Sequence, residues 1–402
     1  MLPLLAIYVA VCALWQPGPL PVRDEAPLLG YARELLEGGY VQDDAHLRPT
    51  RFLWHGPGFP LLLAPLVALD LPLTALRFVA APLLWGSLLA FHRLLRVRLP
   101  PRPALAWAYA LGLYGPALAL LPELHKDLLA LLFVVLAMLG LDRGLRTHAR
   151  RPLLAAGLAL GALALTRVEY GWVLAGVVAI ALIRWVRGGE RAPAARRLAA
   201  CGIVGLVLCV PWLAYTHSVT GKLLYWGNSA GLSLFWMSPT VRGETGEWHP
   251  ARHVMHDPAL RAERPFFRHL RTLPPLEQDL ALRRRALENI GADPVRYLRN
   301  LAANASRLPF LLPRRYGYPP WLVAGAIACN ALLLGALGRA AVRLRRRRRS
   351  LEPEGWAFAL IATLGVLVHL PAPASPRMLV PLVPLCLWLA AAPGAVRWPA
   401  RE

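Results

Sequence analysis

Long apolar runs separated by short, arginine-dense loops set the pattern of this chain. The runs lie near residues 1–15, 73–92, 104–121, 127–141, 153–166, 170–186, 198–216, 320–342, 354–370 and 378–395. A bilayer-crossing helix needs about 20 mostly apolar residues, so the pattern predicts an all-α polytopic membrane protein with about ten transmembrane helices. Between the first two runs, Leu28, Leu29, Ala32, Leu35 and Leu36 recur at helical spacing. They predict an amphipathic helix on the membrane surface, ended by Gly38-Gly39. Pro60 to Leu69 is expected to dip back toward the membrane. Residues 217–319 form a long polar insert. Within it Leu276 to Ile290 reads as a helix, and Asp293-Pro294 caps another that is expected to stop before Pro309. Three parts follow: a membrane module over 1–216, the insert over 217–319, and a C-terminal membrane module over 320–402.

The loops alternate in charge. Arg93, Arg96, Arg98 and Arg102, then Arg143, Arg146, Arg150 and Arg151, then Arg187, Arg191, Arg196 and Arg197, then Arg343 to Arg349 all fall on one side, and Arg397 and Arg401 follow the last run. The positive-inside rule puts that side and both termini in the cytoplasm, and residues 16–72 and the insert outside.

Composition sharpens this. The chain has 402 residues, 56% of them hydrophobic, with a mean hydropathy of +0.43. The net charge of +22 would suit nucleic acid in a soluble protein. Here the arginines sit where topology needs them, so nucleic acid is set aside. Cys12, Cys201, Cys209, Cys329 and Cys386 lie inside apolar runs and read as packed residues. The opening MLPLLAIYVAVCALW lacks a basic leader and a small-residue cleavage site, and reads as a retained first helix.

Polar groups collect on the outer side, where charge at membrane depth is costly and often functional. Asp24-Glu25 opens the amphipathic helix; its bland reading is a helix start stabilised by acids. Glu123, His125, Lys126 and Asp127 crowd the head of a spanning helix; a solvated cap is the bland reading. The contiguous His-Lys-Asp lacks the spacing of phospholipase D enzymes. Arg167 and Glu169 suit a snorkelling pair. Arg377 suits an interfacial anchor, yet it breaks the charge pattern. His55 stands in the Gly/Pro-rich turn His55-Gly56-Pro57-Gly58-Phe59-Pro60, preceded by Asp43 and Asp44. His46, His249, His253 and His256 read as solvated. Acids beside cations at a membrane surface suit a substrate with a lipid tail and a phosphate head. Carboxylates deprotonate a hydroxyl or hold a hard cation, and arginine or lysine stabilises a leaving phosphate.

Taken in order, these pieces resemble the GT-C membrane glycosyltransferases, in particular the branch of protein O-mannosyltransferases and the lipid A aminoarabinose transferase. The matching pieces are Asp24-Glu25 with Tyr31-Ala32, HGPGFPLLLAPL, Arg77, Glu123 and Asp127, LALTRVEYGW, PWLAYTHSVTGKLL, LENIGADPVRYLRN and PRMLVPLVPL. The resemblance implies an inverting transfer of a sugar from a polyprenyl-phosphate carrier to an acceptor on the extracytoplasmic face, in a bacterial inner membrane. It implies that Asp24, with Glu25 beside it, acts as base or holds a divalent ion such as magnesium or manganese. It implies donor-phosphate contact by cationic groups near the membrane, for which Lys126, Arg167 and Arg377, and His55 in part, are the candidates; Glu123, His125, Asp127 and Glu169 are further candidates for binding substrate. Two departures stand out. Relatives often carry lysine in a KPPLYP-like run, where this chain has His55. Their terminal arginine-tyrosine pair is Arg377-Met378 here. The acceptor is left as lipid, glycan or protein, with membrane lipids as the surroundings. The competing reading is a transporter or flippase of a lipid-linked sugar, which does not account for a long outer insert or for charge gathered on one face.

Overall fold

The computed structural model of the chain describes residues 1–40, 53–238, 243–249, 251–313, 320–346 and 351–392, with backbone only at 251–253. Asp43, Asp44, His46, Arg347 to Arg349, Arg397 and Arg401 lie outside the described residues.

Every regular element among the described residues is helical. Helix α1 (Leu2–Leu14) leads to α2 (Glu25–Leu36), α3 (Gly58–Ala68) and α4 (Leu73–Leu76). A 3₁₀ turn (Arg77–Val79) joins α4 to α5 (Ala80–Arg96). Then come α6 (Pro101–Gly112), α7 (Gly115–Leu118), α8 (Lys126–Thr147), α9 (Arg150–Thr166), α10 (Glu169–Val186) and α11 (Ala192–Thr220). The insert holds α12 (Ser229–Met237), α13 (Ala251–His256), a 3₁₀ turn (Pro258–Glu263), α14 (Arg264–Leu270), α15 (Pro275–Ala292) and α16 (Pro294–Phe310). It is followed by α17 (Pro320–Arg346), α18 (Pro353–His369), a 3₁₀ segment (Pro376–Leu382) and α19 (Val383–Ala391).

Among the described residues, five stretches are long and apolar enough to cross a membrane: Leu73–Arg96, α8, α10, α11 and α17. Helices α1, α3 and α18, and the stretch Pro376–Ala391, are apolar but shorter. The chain is thus an integral membrane protein. Helix α8 is the centre, packed on α5, α9, α18 and the 3₁₀ segment at Pro376. Small residues let the bundle close up: a Cβ on Gly161 of α9 would overlap the Gly205 carbonyl of α11.

Two sequence expectations change. The apolar run near 104–121 is not one helix. Pro116 has no N–H to give and its ring clashes with the carbonyl four residues back, so α6 stops at Gly112 and α7 starts afresh at Gly115. Helix α16 does not stop before Pro309 but runs one residue past it, ending where Leu311 turns left-handed at φ 61°. A proline in the last turn removes a single backbone bond, which packing offsets.

Loops gather into two faces. On the arginine-rich face, Arg98 bonds Glu352 at 2.7 Å, contacts Glu354 and lies 3.5 Å from Asp142, while Arg191 donates to the Leu351 carbonyl at 3.2 Å. The acid-bearing loops meet on the other. One apolar core runs from Leu4 to Ala392 through both membrane modules. A smaller one, built on Leu232, Phe235, Trp236 and Phe267, belongs to the insert. His249, expected in solvent, is buried there, with its Nε2 2.8 Å from Glu244 and its ring 4.7 Å from Trp236.

Candidate active site

Arg23 takes φ 48°, a left-handed turn that separates the directions of Asp24 and Glu25 as α2 begins. Glu25 turns inward. Its Oε1 accepts from Arg77 Nε and the Leu124 amide, both at 2.9 Å. Its Oε2 accepts from Arg77 Nη2 at 2.7 Å and the Val22 amide at 2.9 Å. Arg77 is fully buried and also donates to the carbonyls of Gly18 and Leu20. Burial would raise the Glu25 carboxyl, but the hydrogen bonds from Arg77, Val22 and Leu124 hold it below its usual range. All four lone-pair directions of Glu25 are taken. The expectation that it shares catalysis or a metal with Asp24 is therefore revised: it is a positioning residue for the start of α2.

Asp24 turns the other way. It is the N-cap of α2, yet its side chain caps nothing. Its Oδ2 instead accepts from Arg377 Nη1 at 3.2 Å, a link between positions 353 residues apart. Burial alone would raise this carboxyl. Arg377, with His55, His125 and Lys126 also facing it, overrides that and holds it well below the usual carboxylate range.

The head of α8 supplies the next layer. Arg23 reaches Glu123 at 3.0 Å, and His125 Nε2 sits 3.3 Å from Glu123 while its Nδ1 lies 3.9 Å from Asp127. The Glu123 carboxyl, pushed up by burial, is drawn below its usual range by the His125 hydrogen bond and the Arg23 charge. Asp127 pairs with Arg167, whose guanidinium also holds Glu169 at 2.7 Å. Arg167 is buried and committed to two carboxylates, so its reading as a free cation for the donor gives way to one as their anchor.

Lys126 points elsewhere: its Nζ is 3.1 Å from His55 Nδ1. The Gly/Pro turn explains how His55 gets there. A Cβ on Gly56 would overlap the Leu165 carbonyl, and one on Gly58 would overlap Thr166. The turn therefore packs directly on the end of α9. Tyr40 donates to the His55 carbonyl at 2.8 Å, and Tyr31, Tyr40, Trp212 and Tyr215 form a wall of stacked and edge-on rings beside it.

The structure thus brings together Asp24, Glu25, His55, Glu123, His125, Lys126, Asp127, Arg167, Glu169 and Arg377, with Asp24, Arg377, Lys126 and His55 least committed to carboxylate–guanidinium cages. Sequence reasoning missed three residues. His369, at the end of α18, is buried with its ring 6.0 Å from Tyr170. Asn304 of α16 reaches the turn beyond it, and Arg307 of the same helix holds Asn304 Oδ1. Their signal was the spacing of Asn300, Asn304 and Arg307 on one helical face.

A divalent ion at Asp24 and Glu25 does not fit. Glu25 has no lone pair to give, and Asp24 faces cations. Among the described residues no group of three His, Cys, Asp or Glu side chains is arranged to hold a metal ion.

No protein-family model matches the chain, and no curated protein matches it. Among solved structures it is similar to the archaeal oligosaccharyltransferase AglB from Archaeoglobus fulgidus, in complex with an inhibitory peptide and a dolichol-phosphate. That match has 13% identity and a TM-score of 0.49, covering 97% of this chain and 50% of that one. It is also similar to ArnT from Cupriavidus metallidurans bound to undecaprenyl phosphate, at 16% identity and a TM-score of 0.46, covering 97% of this chain and 77% of that one. The chain spans half the length of the AglB structure.

Proposed function

We propose that the chain is an inverting glycosyltransferase that moves a sugar from a polyprenyl-phosphate carrier to an acceptor on the extracytoplasmic face of a bacterial inner membrane. One observation carries the reading. A carboxylate at a helix start, left out of helix capping, is matched 3.2 Å away by an arginine from the far end of the chain. A lysine whose Nζ meets a histidine rather than a carboxylate stands close by. The sidedness rests on the arginine-rich loops at the opposite end.

The residues divide the reaction as follows. The acceptor hydroxyl gives its proton to an Asp24 oxygen as its own oxygen attacks the anomeric carbon. The bond from that carbon to the carrier phosphate breaks, and the phosphate leaves with the electron pair. Arg377 and Lys126 face the charge that grows on it. A carboxylate held down by arginine is a weak base. When the donor phosphate takes up Arg377, Asp24 loses its main counter-charge and becomes a stronger acceptor of the proton, so the donor arms the base. The aromatic wall around His55 excludes water from the turn.

The test is sugar transfer from a synthetic polyprenyl-phosphate donor in detergent. Asp24→Asn keeps the size and one hydrogen-bonding oxygen but accepts no proton; turnover should fall on the order of a hundredfold or more with donor binding kept. Arg377→Ala should raise the donor KM, losing about 1.5–3 kcal/mol of a charge-assisted contact. Near wild-type turnover in Asp24→Asn would end the assignment. Wild-type protein that moves lipid-linked sugar across vesicles but forms no product in detergent would favour the transporter.

A further inference from the structure

Helix α16 of the insert buries its polar side. Asn300, Asn304 and Arg307 lie on one face and are buried, while Val295 and Leu298 of the same helix are exposed. Asn300 donates to the Met237 carbonyl at 3.0 Å, inside the insert. Asn304 does something different. Its Nδ2 faces three carbonyls: His369 at 3.3 Å, Leu370 at 2.8 Å and Ala372 at 2.6 Å. Its Oδ1 accepts from the Ala374 amide and from Arg307 Nη1, both at 2.9 Å. Three acceptors on one side and two donors on the other fix the orientation of the amide. No other residue type of that size offers a donor and an acceptor group in one plane.

Arg307 anchors the pair to the insert. It donates to the carbonyls of Thr245 and Gly246 and to Thr245 Oγ1 at 2.8–2.9 Å, and to the Pro313 carbonyl at 3.1 Å. The turn so held runs from His369, whose ring lies against Tyr170, to Ala374, three residues before Arg377. Prolines at 371, 373 and 376 leave the turn few N–H groups of its own. It therefore depends on a partner from outside.

We infer that Asn304 is a positioning residue for the transfer reaction: it reads the backbone of the 369–374 turn from the insert and thereby sets the Arg377 guanidinium opposite Asp24. This rests on the reading of Arg377 as the donor-phosphate contact. The insert is then part of the active-site scaffold.

Two measurements test it. The first is a double-mutant cycle in the transfer assay. Asn304→Ala, and more mildly Asn304→Ser, should raise the donor KM about tenfold with kcat changed much less, as expected for a lost ground-state contact. In an Arg377→Ala background, Asn304→Ala should change the donor KM by less than about twofold, because the two act through one contact. Losses that multiply in the double variant would overturn the inference and leave Asn304 with a role in stability alone. The second needs neither activity nor a variant. In the wild-type protein the Ala374 amide, held by Asn304 Oδ1, should exchange with deuterium far more slowly than the Ser375 amide next to it, residue 373 being a proline with no N–H. Exchange as fast as that of Ser375 would overturn the latch. An inactive wild type with a protected Ala374 amide would keep the latch and remove the transferase reading instead.

Discussion

Glu25 and Arg77 meet in a dry site, and neither has water to fall back on. Removing one partner of such a pair strands the other charge and costs about 3–5 kcal/mol. Arg77→Ala should therefore unfold at a clearly lower temperature in detergent, while Asp24→Asn, a half-buried neighbour, melts near wild type. The pH sign follows from the folded carboxyl of Glu25 lying below its ordinary value of about 4.3. A depressed carboxyl stabilises the fold at all pH above the unfolded value, and that share is lost only as pH falls through the folded value. The melting temperature should hold from neutrality down to about pH 5 and drop below that. Glu25→Gln should start lower and lose less on acidification. An acid-induced loss in Glu25→Gln equal to that of wild type would remove the pair from this role. At this scale the sequence pointed to Asp24 with Glu25 beside it, but not to how differently the two neighbours are placed. That depended on the left-handed turn at Arg23 and on a buried arginine 52 residues away, neither of which a pattern of residue types displays.

The Gly/Pro turn before α3 is held by contact rather than by an unusual backbone angle. Gly56→Ala would drive a methyl into the Leu165 carbonyl, costing about 1–3 kcal/mol of overpacking and pulling His55 off Lys126. Transfer should weaken in Gly56→Ala more than in Gly291→Ala, whose added methyl meets nothing. Equal activity in the two would count against His55 as part of the site. Periodicity found most helices within a few residues, because an apolar run in a bilayer leaves the backbone no alternative to helix. It failed at α6, where a proline outweighed an unbroken apolar run. It also missed the role of α16, whose polar face is the buried one. A hydrophobic pattern reports which face is apolar, but not that Asn300, Asn304 and Arg307 find backbone partners that take the polar face inward.

Across the whole molecule, loops of opposite character occupy opposite ends, and this can be read chemically. In a cysteine-free background on intact cells, an impermeant maleimide should label Arg285→Cys in the insert and leave Arg345→Cys unlabelled until the cells are opened. The reverse would invert the protein and move the site to the cytoplasm. A different consequence follows from the buried amide of Asn304. The run Asn304-Ala305-Ser306 spells an acceptor for N-linked glycans. In the folded protein this acceptor is hidden, for Asn304 is fully buried. A eukaryotic secretory host would meet the insert as an unfolded chain on the lumenal side, before the amide has found its turn. A glycan added there would prevent Asn304 from entering the core. Protein made in such cells should run heavy, shift on deglycosylation and lack donor binding, whereas Ser306→Ala, which erases the acceptor and spares Asn304, should restore a single functional species.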